Sequence, residues 1–274
     1  MIARFLRVGF LAVLGFFWLV PVYLLVANAA KSSSYYSGDT IWLPGNLLDL
    51  VDNLVRVFEK TDIPQSLANT VLYSITGPLI AVILGAAVAF AVIVLKLRNG
   101  FFWFFVIYAG SVFPLQMMVI PLFDAYSRVG LYDTTTGMIF VYSVVCLPFS
   151  AFVMRNFFSG IAESVFEAAV VDGAGMWRIF TRIYLPMSFS ALTVVFILQA
   201  TWVWNDLLLG LVLTQSAETR NVMPILTSLQ ATGGGGGEAY TVVLTAALLV
   251  SIPTALLFVV SQRYFSKGLA LGQY

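Results

Sequence analysis

The sequence predicts an all-α integral membrane protein with six transmembrane helices and a cytoplasmic helix–turn–helix loop. Three observations point there. Of its 274 residues, 60% are hydrophobic and only 10% are charged, against about a quarter in soluble domains. Apolar runs long enough to cross about 30 Å of hydrocarbon, at roughly 1.5 Å per residue, recur along the chain. The charges collect between those runs, and the mean hydropathy is +0.94. The bilayer is therefore the solvent for most of this chain.

Composition also excludes several kinds of function. The net charge is +1, so no basic surface for nucleic acid is expected. There is no His and a single Cys, Cys146, inside an apolar run. That removes His-based catalysis, Cys-rich metal sites and internal disulfides. Cys146 reads as packing, since reactive thiols need polar, accessible surroundings.

In order, the first span is about 8–28, after Arg4 and Arg7. Ala27-Asn28-Ala29 resembles a leader cleavage site, but the apolar run exceeds the usual 7–15 residues of a leader, so a retained helix is expected. Leu47, Leu50, Val51, Leu54, Val57 and Phe58 then fall at helical spacing, predicting a short interfacial helix. The second span is about 69–95, with a kink expected at Gly77-Pro78. The third is about 101–123 and contains Pro114 and Pro121. The fourth is about 136–154, the fifth about 187–211 and the sixth about 240–261. The whole chain, 1–274, reads as one transmembrane domain, with the polar segment 155–186, between spans four and five, as the longest connection on its side of the bilayer.

Six spans place both termini on one side, and the basic residues choose it. Arg4, Arg7, Lys96, Arg98, Arg155, Arg178, Arg182, Arg263 and Lys267 lie on the side of the termini, nine against five on the other. Short loops rich in Lys and Arg stay in the cytoplasm. Both termini and the 155–186 loop are thus expected to be cytoplasmic in a multi-pass membrane protein.

No G-x-x-x-x-G-K-[ST] phosphate loop occurs, so the chain is not expected to hydrolyse ATP or to be an enzyme. The run Gly233–Gly237 lacks the following Lys and reads as a flexible linker. The 155–186 loop is more informative. Ser164 and Glu167 have capping-box spacing. Gly173 suits the left-handed position after a helix. Met176, Ile179, Phe180 and Ile183 form one apolar stripe over a second helix at about 175–184. Pro186 suits the first turn of the fifth span. Such a loop either packs on its own bundle or receives another protein, and spacing alone leaves both open.

Glu167-Ala168-Ala169-x3-Gly173-x9-Ile183-x-Leu185-Pro186 resembles the EAA loop of bacterial binding-protein-dependent ABC importer permeases, with all seven defining residues in place over 20 positions. Trp204-Asn205-Asp206 and the tail Gln262 to Leu269 are similar to segments of carbohydrate permeases of the maltose-transporter type. The ending Ala270 to Tyr274 departs from that family's finish. The resemblance implies docking to an ATPase through Glu167, Ala168, Ala169, Asp172, Gly173, Ile183, Leu185 and Pro186. It implies a heterodimer with a second permease subunit, two ATPase subunits that hold ATP and Mg, and an extracytoplasmic solute-binding protein. It implies no cofactor on this chain and a sugar as substrate.

Polar groups within spans are functional candidates by default. Gln199, Thr201, Trp204, Asn205, Asp206 and Gln116 offer amides, a hydroxyl, a carboxylate and an aromatic face, which suit a sugar. The same residues also read as interfacial anchors and internal pairs. Rival functions are the same class of permease for a glycerol phosphate or an oligopeptide, and a stand-alone secondary transporter. The last predicts acids buried in mid-span, whereas nearly all charges lie in loops.

Overall fold

A computed structural model describes residues 2–232 and 237–270. Gly233 to Gly236 and Leu271 to Tyr274, part of the expected linker and tail, lie outside the described residues. The described residues are helical or in loops and turns, with no strand among them. Helices run in the order α1 (Ile2–Ala29), α2 (Leu47–Lys60), α3 (Ile63–Ala89), α4 (Gly100–Ala109), α5 (Leu115–Arg128), α6 (Thr135–Ser159) and α7 (Glu163–Val171). There follow α8 (Met176–Ile179), α9 (Leu185–Met187), α10 (Phe189–Trp204), α11 (Leu208–Leu213), α12 (Val222–Thr232) and α13 (Gly237–Ala270). Among the described residues, Leu6–Ala29, Ile63–Val94, Thr135–Ser159 and Tyr240–Val259 are long and apolar enough to cross a membrane. Met176–Met187 with Phe189–Trp204, bent by 75°, adds a fifth if the pair is one span.

Two expected spans are interrupted. The third breaks after Ala109 and resumes at Leu115, because the chain before Pro114 is pushed out of helical backbone. Pro121, by contrast, is accommodated inside α5. The fifth does not begin at Pro186 as one rod. It bends at Ser188 and stops at Trp204, and α11 starts only at Leu208. Gly77-Pro78 does not interrupt α3.

The residues form two compact units, Met1–Leu67 with Val222–Pro253 and Ala68–Asn221 with Thr254–Tyr274. In the first, the end of α1 is closed by polar groups. Asn53 Nδ2 donates to the carbonyls of Ala29 (2.9 Å) and Lys31 (2.8 Å), and Thr245 Oγ1 donates to Ala29 (3.1 Å). Lys31 Nζ, buried, donates to Asn28 Oδ1 and the Thr40 carbonyl. Burial lowers the Lys31 pKa, while its charge suits a helix C-terminus. The amphipathic α2 starts at Asn46, whose side chain accepts from Leu48 N–H. Leu47, Val51 and Phe58 stay exposed and Val57 turns inward, as an interfacial helix requires.

In the second unit, α3 lies directly on α6. Gly77, Ala81, Gly85 and Ala89 recur every four residues, a ladder of small side chains that lets two backbones approach. A Cβ on Gly85 would stand 2.7 Å from Ala151 N, and one on Gly77 2.7 Å from Tyr142 Cβ. Two apolar clusters form there. One gathers Tyr73, Ala81, Met138, Tyr142, Cys146, Val203 and Leu209. The other gathers Ala86, Phe90, Met154, Phe158, Ile179, Phe180 and Tyr184.

Asp133, at φ +54°, ties the turn before α6 to the segment after α11. Its carboxylate accepts from Gln215 N–H (2.8 Å), from Ser216 N–H and hydroxyl (3.1 Å each), and from the Thr219 hydroxyl. Burial raises its pKa, but these donors together outweigh it and hold the carboxyl below its ordinary value.

Two outcomes test this packing. Gly85→Ala should lower stability by about 1–3 kcal/mol through overpacking, while Gly15→Ala, with nothing within 4 Å, should be neutral or slightly stabilising; thermal unfolding in detergent compares them. Because the folded Asp133 carboxyl titrates below its unfolded value near 3.8, its stabilisation is complete above that value and is lost as the pH falls through the folded one. Asp133→Asn should therefore be less stable than wild type at neutral pH, and the gap should close in acid.

Candidate functional sites: a loop surface and a cleft

The 155–186 loop is built on the second of these clusters, around Phe90, Phe158 and Tyr184. Helix α7 begins at Glu163, with Ala162 at its cap position and no side-chain cap. The expected capping box does not form, because Ser164 is already inside the helix, where its helical backbone cannot present the hydroxyl to N–H groups ahead of it. Glu163 instead pairs with Lys96 at 2.5 Å. A carboxylate in the first turn is favoured by the helix dipole. Its hydrogen bond raises the Lys96 pKa. Both side chains are exposed, so the pair adds little stability.

The helix ends as expected at Gly173, φ +74°. Gly173 N–H donates to the Val170 carbonyl and Ala174 N–H to the Ala169 carbonyl, 3.0 Å each. These two bonds define a Schellman turn. Past Gly175, α8 runs into a π turn at Phe180–Tyr184, then α9 and the bend at Ser188. Ser188 Oγ donates to the Tyr184 carbonyl at 2.6 Å.

The expected apolar stripe splits. Ile179 and Phe180 are buried and Ile183 packs beside them, while Met176 is exposed. The stripe thus anchors the loop to its own bundle. A second π turn, Phe90–Val94, meets it: the Phe90 ring lies 5.2 Å from Phe180 and 5.1 Å from Tyr184. Ala169 also faces inward, and Leu185 packs against the cluster. Glu167, Ala168, Asp172, Gly173 and Pro186 face outward. The outer face includes two residues not singled out from the sequence, Val171 (86% exposed) and Trp177 (75% exposed). Val171 lies one helical turn past Glu167, so the two share the outward face of α7.

Toward the other end of α10 lies a cleft of about 670 Å³, lined by Leu115, Gln116, Leu198, Thr201, Trp202, Asn205, Asp206, Leu207 and Leu208. It brings together four of the six sequence candidates: Gln116, Thr201, Asn205 and Asp206. Gln199 is buried, its Nε2 donating to the Cys146 carbonyl at 2.9 Å, and it lines an adjoining cavity of about 880 Å³ that shares Leu115, Leu198 and Trp202 with the cleft. Trp204 is buried in the bundle. The aromatic on the cleft wall is Trp202, two residues earlier. Helical periodicity is the signal for it, since 198, 201, 202 and 205 share one face.

Membrane-length helices, an exposed loop and a cleft with a few polar groups on its wall fit a transport component. The chain belongs to the family described as binding-protein-dependent transport system inner membrane components, whose model matches residues 81–271. It is similar to the alpha-glucoside transport system permease protein AglG of Rhizobium meliloti, 31% identical over 229 residues, 81% of this chain but 59% of AglG's length. It is similar to the diacetylchitobiose uptake system permease protein NgcG of Streptomyces coelicolor, 27% identical over 94% of this chain and 85% of NgcG. The structure is similar to that of a chain from a bacterial ABC transporter involved in the import of the acidic polysaccharide alginate, with TM-score 0.80, 26% identity, and 96% and 97% of the two chains covered.

Gly173 gives a direct test of the turn. A side chain there meets nothing within 4 Å, so any cost is backbone strain alone. Gly173→Asn should be tolerated, whereas Gly173→Val should cost at least about 1–2 kcal/mol. Faster proteolytic nicking between Asp172 and Gly175 in the valine variant would register it.

Proposed function

We propose that the chain is the transmembrane permease subunit of an ATP-driven ABC importer for a sugar or oligosaccharide. With a second permease subunit it forms half of a translocation path. An extracytoplasmic binding protein delivers the solute, and two separate ATPase subunits bind ATP and Mg. The basic residues on the side of the termini favour cytoplasmic placement of both ends and of the 155–186 loop. The observation that carries this reading is the outer face of that loop. Glu167, Val171 and Trp177 stand exposed on a turn fixed by Gly173, and the inward half of the loop is locked to the bundle. An apolar patch beside a carboxylate suits a cleft with apolar walls and a basic group on the ATPase. Movement of the ATPase would pass through the anchored loop into α10, which begins at the bend and ends at the cleft.

The names of the relatives and the cleft chemistry both favour a sugar. Trp202 offers a face for sugar C–H groups, and Gln116, Thr201 and Asn205 offer hydrogen bonds. The lining holds no Lys or Arg, which disfavours a phosphate-bearing solute.

Glu167→Lys should weaken association of the cognate ATPase at least about tenfold, a change of 1.4 kcal/mol, and abolish transport. Sedimentation of the ATPase with membranes carrying each variant measures this. Normal binding and transport by Glu167→Lys and by Trp177→Ala together would sink the docking surface.

A further inference from the structure

The carboxylate of Asp206 borders the cleft but points its hydrogen bonds away from it. Oδ2 accepts from the Tyr142 hydroxyl at 2.9 Å and from Gly210 N–H at 3.1 Å; Oδ1 accepts from Leu209 N–H at 3.4 Å. Asn221 Nδ2 donates both to the Tyr142 hydroxyl (3.2 Å) and to the Asp206 carbonyl (3.0 Å). All three side chains are buried. Gly210 is required beside them, since a Cβ there would stand 2.0 Å from Asn221 Oδ1. These bonds satisfy the Asp206 carbonyl and the first N–H groups of α11, at a break in the helix where lipid supplies no partner.

The same tyrosine reaches the cleft wall from behind. Its ring meets Trp202 edge to face at 6.4 Å and 83°. Its Cβ lies against Gly77 of α3, so it cannot retreat. One hydroxyl bond therefore fixes both a ring that backs Trp202 and the break that presents Asn205.

We infer that Asp206 and Tyr142 are positioning residues for the transported sugar: they hold Trp202 and Asn205 at the cleft wall without contacting the sugar themselves. The inference rests on the importer reading above. It predicts that breaking the Tyr142–Asp206 bond impairs passage of sugar while the ATPase remains docked and active.

The test uses the complete importer in proteoliposomes, with a labelled neutral oligosaccharide that the wild-type complex moves. Tyr142→Phe keeps the ring and loses the bond; Asp206→Asn keeps an acceptor and loses the charge. Each should lower maximal transport about tenfold, with ATPase activity stimulated by sugar-loaded binding protein changed less than about twofold. Trp202→Ala should fall as far, and Tyr142→Phe/Trp202→Ala should fall no further than Trp202→Ala alone, because the two act as one unit. The amount of assembled complex, read by gel filtration, separates this from misfolding. Wild-type transport by both single variants, losses that multiply in the double variant, or transport and ATPase falling together with assembly would each overturn it. A wild-type complex that moves no sugar at all would overturn the importer reading and this inference with it.

Discussion

Hydrocarbon supplies no hydrogen bonds, so every departure from helix within the bundle must be closed by the protein itself. That constraint organises the second unit. The break after Trp204 is filled by Asp206, Tyr142 and Asn221. The bend at Ser188 is closed by the serine hydroxyl on the Tyr184 carbonyl. The break after Ala109 starts with the Ser111 hydroxyl on the Tyr108 carbonyl. In each case a short polar side chain does locally what an unbroken helix does by repetition. The irregular segments are also the ones that border the cleft or carry the loop.

Much of the fold was legible from apolar run length alone. Long spans such as α3 and α6 have no other stable solution in a bilayer, whereas the third run reads as one continuous span although the helix breaks before Pro114. Less legible was which way residues face. In a uniformly apolar run the hydropathy pattern carries no direction, so the small-residue ladder Gly77-Ala81-Gly85-Ala89 is masked by its equally apolar neighbours. For the same reason the stripe from Met176 to Ile183 did not declare that it packs inward, or that Trp177 beside it points out. Thr201, Trp202, Asn205 and Asp206 line the cleft, whereas Trp204, singled out from the sequence, is buried in the bundle. The Trp-Asn-Asp segment reads as a unit in the sequence, but successive helical residues point about 100° apart.

Mechanically, α10 joins the two candidate sites. Its beginning is held by the π turn and its aromatic contacts with Phe90 and Phe158. Its middle is tied to α6 through Gln199 and the Cys146 carbonyl. Its end is fixed by the buried cluster around Asp206. A helix pinned at three points transmits displacement as a lever rather than absorbing it by fraying. The π turns add to this, since such turns carry a surplus residue and recur at functional positions.

Cys146 is the sole cysteine of the chain, and it is sealed inside the apolar cluster around Tyr142. The protein is in effect already blank to thiol reagents. A cysteine placed at Val171 or Trp177 on the loop would be its one accessible thiol. Spin labels or fluorophores could then report from a chosen site in the intact chain, with no prior removal of native cysteines and no background from the interior.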